Sequence, residues 1–200
     1  IVAELNALAS AKAEEIKVQT RPVGLVENPV MLYPSDAPIR DSKIKAADIK
    51  PLDWEKVKKG DTFPSSAAPA IARQKFAIEV NVSGENMTGP IIAHGGSAVG
   101  YVLYAQGEEF VLAVSRGGEI KRVTLPIKET DSPLQATIAR TTLSLAQGER
   151  SSSIDGHWID KHPQEDLSIG YDVRRPVDPE QPKGEFTGEI ESLSVTTTKL

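Results

Sequence analysis

The sequence predicts a mainly β chain: an antiparallel two-sheet sandwich, preceded by one α-helix and a proline-rich strap. Three observations carry this. Between Lys75 and Arg122 five short runs alternate apolar and polar residues, with turn residues between each pair. They read K-F-A-I-E-V-N-V, G-P-I-I-A-H-G-G-S, V-G-Y-V-L-Y-A, E-F-V-L-A-V-S-R and E-I-K-R-V. A late echo, F-T-G-E-I-E-S-L-S-V at Phe186–Val195, reads as a strand that returns to close the sheet. No long helix interrupts ten or so short strands, so two facing sheets are the way to bury their apolar sides.

The elements follow in chain order. Residues 1–17 form a helix: Ile1, Leu5, Leu8, Ala9 and Ile16 share a stripe, and no Gly or Pro interrupts it. That narrow stripe needs a surface to lie on, and the missing cap before Ile1 suggests a natural chain that continues upstream. Residues 18–74 carry Pro at 22, 29, 34, 38, 51, 64 and 69, which removes ladder donors and breaks helices. Apolar anchors such as Leu32, Tyr33 and Trp54 make this an extended strap, with one short strand near Lys43–Leu52. Pro51–Gly60 reads as a short helical stretch closed by Gly60.

In the first strand Phe76, Ile78, Val80 and Val82 face one way and Ala77, Glu79, Asn81 and Ser83 the other. Val99–Ala105 is apolar on both faces, which places it centrally or under the strap. Leu134–Ala139 and Thr141–Gln147 are two strands or one bent strand, since Arg140 is the only turn residue between them. Gly148–Gly156 reads as a polar loop, Leu167–Tyr171 as a short strand and Arg174–Gly184 as a long exposed loop. In the closing strand Phe186 and Ile190 share one parity and Leu193 and Val195 the other, which requires a bulge near Glu191–Ser192. The division expected is helix 1–20, strap 21–74 and sandwich 75–200.

Composition narrows the function. Aromatics are 5% of the chain, so the core is built from Val, Ile, Leu and Ala. There is no cysteine, which excludes a disulfide scaffold, a thiolate zinc site and a cysteine nucleophile. Residues 75–200 hold 12 Lys and Arg against 18 Asp and Glu, the wrong sign for a nucleic-acid partner. No apolar run approaches the roughly 20 residues that span a bilayer.

Candidate chemistry is sparse. Glu189 and Glu191 are the nearest pair of carboxylates, at strand spacing, where the ordinary role is a solvated face. His157 and His162 are five apart, which does not suit a helical metal pair. Trp158, beside His157 in a polar loop, offers either an indole face for a sugar ring or a plug for the end of the sandwich. Tyr104, on the two-faced strand, has the same two readings. Trp158, His157 and Tyr104 are therefore the candidate ligand contacts, and no residue is assigned a catalytic role.

The run G-P-I-I-A-H-G-G-S-A-V-G-Y-V-L-Y-A-Q-G-E-E-F-V-L-A-V, followed by L-S-I-G-Y-D and F-T-G-E-I-E-S-L-S-V, resembles the laminin-G-like or concanavalin-like jelly roll at the C-terminus of some bacterial sulfatases. The leading helix and the R-P-V-G strap resemble the segment that ends the catalytic domain in such enzymes. The resemblance implies a non-catalytic C-terminal accessory domain, periplasmic or extracellular, that packs on an upstream catalytic domain and holds carbohydrate. It also implies a calcium site, for which Asp155 and Asp172 are the candidates; no other cofactor is expected. The formylglycine motif C/S-x-P-x-R is absent: Ser35-Asp36-Ala37-Pro38-Ile39-Arg40 has one residue too many before the proline. The other readings are a free-standing lectin-like module and a glycoside-processing enzyme of the same fold.

Overall fold

A computed structural model of the chain describes residues 2–19, 52–128, 132–172 and 175–198. The chain divides into two units, residues 1–39 and 40–200. In the first, helix α1 spans Val2–Gln19, with Lys12 and Glu15 paired along one side at 2.8 Å. The expected strand near Lys43–Leu52 and most of the strap lie outside the described residues.

The second unit is a sandwich of eleven strands among the described residues, all pairings antiparallel. They are β1 (Thr62–Phe63), β2 (Lys75–Ser83), β3 (Gly89–Gly95), β4 (Val99–Gln106), β5 (Glu109–Arg116), β6 (Glu119–Pro126), β7 (Leu134–Ile138), β8 (Thr142–Gln147), β9 (Arg150–Asp155), β10 (Leu167–Ile169) and β11 (Glu189–Thr198). One sheet runs β1-β10-β3-β4-β5-β6 and the other β11-β2-β7-β8-β9. The five runs between Lys75 and Arg122 are thus all strands, but they do not form one continuous meander. The chain changes sheet between β2 and β3, through a loop in which Asn86 and Gly84 both take positive φ (49° and 138°).

The alternation read from sequence sets the core. Phe76, Ile78 and Val80 of β2 pack inward with Tyr101, Leu103, Leu112 and Leu145, all at most 1% exposed. Burying each such side chain contributes about 1.5–3 kcal/mol. The closing strand pairs with β2 over its whole length, and the register slips between Ile190 and Ser192. That bulge lets Ile190, Leu193 and Val195 all face β2's apolar side, as their parity requires. Arg140 does turn the chain, since β7 and β8 pair as a hairpin.

Two loop readings need correction. Gly148–Gly156 is not a loop: Arg150–Asp155 is β9, paired with β8 at the sheet's edge. Its sequence R-S-S-S-I-D hides it, because only Ile154 packs against the core. The loop 175–184 is not wholly exposed either. Val177 and Asp178 are fully buried, and Val177 joins Ala93, Val102, Tyr104, Val111 and Ala113 in a second apolar cluster on the outer face of the six-stranded sheet. The expected helical stretch at Pro51–Gly60 is a single 3₁₀ turn, Trp54–Lys56.

Candidate functional site

Two places on the sandwich bring chemistry-bearing side chains together. The first is the crossing segment 156–166, which leaves β9 of one sheet for β10 of the other. Ile159 is buried in the main core, and the Arg73 N–H donates to the Ile159 carbonyl at 2.7 Å. This anchor leaves Trp158 half-buried, with the Arg140 guanidinium 5.6 Å from its ring centre. An indole with a cation over its face gains a modest attraction and presents guanidinium donors beside an apolar plane. His157 is half-buried, and both of its ring nitrogens are enclosed without a protein hydrogen-bond partner. Two of the sequence-predicted contacts, Trp158 and His157, are thus both half-buried on this segment. Arg140, which the sequence marked only as a turn, joins Trp158. The hint was its being the one cation in the β7–β8 turn.

The second place lies on the outer face of the six-stranded sheet. Arg122 on β6 grips Asp178 through two hydrogen bonds, Nε to Oδ2 at 2.6 Å and Nη2 to Oδ1 at 2.7 Å. The Tyr104 hydroxyl donates to Oδ2 at 3.1 Å and the Glu180 N–H to Oδ1 at 2.9 Å. Burial alone would push the Asp178 carboxyl up, but Arg122, the Glu180 N–H and Tyr104 together hold it below the usual carboxylate range. Burial and then Asp178 push the Tyr104 hydroxyl up. Tyr104 is 1% exposed, so its ring is scaffold for the loop and not a surface for a ligand. This network ties loop 175–184 to the sheet. Beside it, Asp172, Pro176, Pro179, Gln181, Pro182, Lys183 and Gly184 line a half-open depression of about 270 Å³.

The acidic candidates are dispersed. Asp155 ends β9 and Glu189 begins β11, the two edge strands of the same sheet. Four strand spacings, roughly 19 Å, separate those edges. Asp172 lies in the loop after β10, where its Oδ2 accepts from the Val177 N–H at 3.0 Å and from Gln181 Nε2 at 2.8 Å. Glu191 is the bulged residue beside Glu189. A glycosidase needs two carboxyls roughly 5–10 Å apart across one bond; Asp155 and Glu189 cannot meet that. Among the described residues no three His, Asp or Glu side chains converge to hold a metal ion. No described helix is long and apolar enough to cross a membrane.

The fold defined by these sheets is a jelly-roll sandwich of the laminin-G and concanavalin kind. Among solved structures, domains LG4-5 of the mouse laminin α1 chain superpose with a TM-score of 0.51 at 14% identity, over 72% of this chain. The chain spans 38% of the length of that laminin structure. The CBM40 of a Ruminococcus gnavus IT-sialidase, solved with α2,3-sialyllactose, superposes at 0.49 and 15% identity, over 70% of this chain and 86% of the other. At such identities the likeness concerns the fold. No protein-family model and no curated protein sequence matches the chain.

Proposed function

We propose that this chain is a non-catalytic, lectin-like module that holds carbohydrate at Trp158, and that it serves as the C-terminal accessory domain of a sulfatase-like hydrolase. The observation that carries the first part is the pairing of Trp158 with Arg140 on a jelly roll. An indole face takes the C–H side of a sugar ring, and the neighbouring guanidinium donates to hydroxyl or acidic substituents. The second part is supported by the sequence resemblance alone.

The test is direct. The chain applied to a glycan array binds, and Trp158→Ala lowers that binding at least ten-fold while the thermal unfolding midpoint stays within a few degrees. A blank array removes the lectin reading, and turnover of aryl sulfates or sulfated glycans by the chain removes the non-catalytic one. The sulfatase assignment is checked separately: the coding region upstream of Ile1 should carry C-x-P-x-R with Asp and Asn metal ligands, and its absence ends that part of the proposal.

A further inference from the structure

Beneath the crossing segment 156–166 lies a group that the ligand reading does not use. His94 sits on β3 in register with Tyr101 of β4 and with Leu167 of β10, on the face that points into the core. It is fully buried, and neither of its ring nitrogens has a protein partner; nor does the buried Tyr101 hydroxyl. The His162 ring, carried by the segment, meets the His94 ring almost at right angles, with centres 5.3 Å apart. His162 Nε2 donates to the Ser65 carbonyl at 2.9 Å, and the Ser65 hydroxyl donates back to the Pro163 carbonyl at 2.5 Å. Besides these bonds and the Arg73–Ile159 backbone bond, the segment is tied by the Asp160–Arg116 ion pair, whose atoms are 3.7 Å apart.

We propose that the His94–His162 pair is an acid-operated latch. When neutral it packs the segment 156–166 onto the end of β3; when it takes up a proton the segment opens while the strands beneath stay paired.

From β4 the titratable neighbour of His94 is Tyr101, whose ring centre is 5.9 Å away. From the segment it is His162, and from the 3₁₀ turn at Ser65–Ala67 the neighbour of His162 is a carbonyl. Of the segment's three carboxylates, Asp160 pairs with Arg116, while Glu165, beside Gly96, and Asp166 are exposed. An imidazolium at His94 would thus be buried with neither ring nitrogen partnered and no counter-charge in contact. Burial first, and His162 second, hold the His94 imidazole down to about 3 from its ordinary 6.5. Opening the segment hydrates the ring and restores its basicity, so proton uptake and opening are linked and acid favours the open form. Local opening of the segment above an intact sheet breaks five polar ties among the described residues, the fifth being the Gly156 N–H to Thr141 carbonyl bond at 3.0 Å, and uncovers Ile159.

Hydrogen exchange of the full 200-residue chain, corrected for intrinsic rates, reads the latch directly. Between pH 7.5 and pH 5 the protection of amides in 156–166 should fall about 30-fold, the ratio set by a group of pKa 6.5 when open and far lower when closed. Amides of β4 and β5 should keep theirs, and His94→Leu should abolish the pH dependence of the segment. If that variant does not fold, imidazole NMR of the natural sequence decides, since the proposal requires His94 to remain neutral in the closed form at pH 5. Unchanged protection of the segment, its loss together with β4 and β5, an unaltered response in His94→Leu, or titration of His94 near 6.5 with the segment still closed would each overturn it.

Discussion

At the scale of single residues, the outer face of the six-stranded sheet depends on one carboxylate. Asp178 is wholly buried, and its charge is compensated mainly by the two-pronged Arg122 bond. Removing the cation leaves a buried anion unpaired, which typically costs about 3–5 kcal/mol; Arg122 is 31% exposed, so about 2–4 kcal/mol is expected for Arg122→Ala. Urea unfolding checks this, and in a cycle with Asp178→Asn the double variant should be less unstable than the sum of the two singles. His94 makes the second residue-scale prediction. Its folded-state pKa lies below the unfolded one, so its contribution is fully present above about pH 6.5 and is lost as pH falls toward about 3. The urea midpoint should therefore drop more steeply between pH 7 and pH 4.5 for the natural sequence than for His94→Leu. Neither feature was legible in the sequence. Asp178 stands among prolines in what reads as a solvated loop, and His94 sits in an apolar run where a histidine carries no signal of its depth. Tyr104 is a candidate ligand contact from sequence, but pattern alone does not tell a ligand platform from a ring buried under a loop.

At the scale of elements, the closing strand shows how far alternation can be trusted. The parity conflict between Ile190 and the pair Leu193 and Val195 demanded an extra residue, and the register slips at that point. Because Ile190 lies opposite Val82 and Ser192 opposite Asn81, Glu191 is the residue without a partner. Deleting Glu191 should leave every pairing intact and change stability by about 1 kcal/mol or less. Deleting Ser194 instead throws Leu193 or Val195 onto the wet face and should cost about 2–4 kcal/mol, as in large-to-small core substitutions. Thermal unfolding of the two deletions side by side separates them. Period-two alternation was enough for β2 to β8 and β10 because each has several buried positions. It failed for β9, where Arg150–Asp155 packs a single aliphatic residue against the core. Trp158 could be named as a candidate from its polar setting. Its partner Arg140 could not, because a hairpin brings it across from a different part of the chain.

At the scale of the molecule, the strands alternate between sheets, so neither sheet is contiguous in the sequence. The chain passes between them from β1 to β2, β2 to β3, β6 to β7, β9 to β10 and β10 to β11. The jelly-roll class was readable because turn signals recur between short alternating runs; which runs share a sheet was not, since alternation carries no information about partners. β6 and β9, the edges on one flank, touch each other. β1 and β11 therefore both lie on the opposite flank, where the 3₁₀ turn at Trp54–Lys56 packs beside β11. The two ends of the sandwich therefore leave from one flank, with the Lys59 ammonium donating to the Gly188 carbonyl beside the start of β11. Joining them needs a link that runs along β11 and crosses neither sheet. A circular permutant in which residue 198 is joined to residue 52 through a flexible linker able to run the length of β11, and the chain is opened between Gly117 and Gly118, should retain the β circular dichroism and cooperative unfolding of the parent. A molten or aggregated permutant would mean that the shared flank is not where the chain can be rejoined.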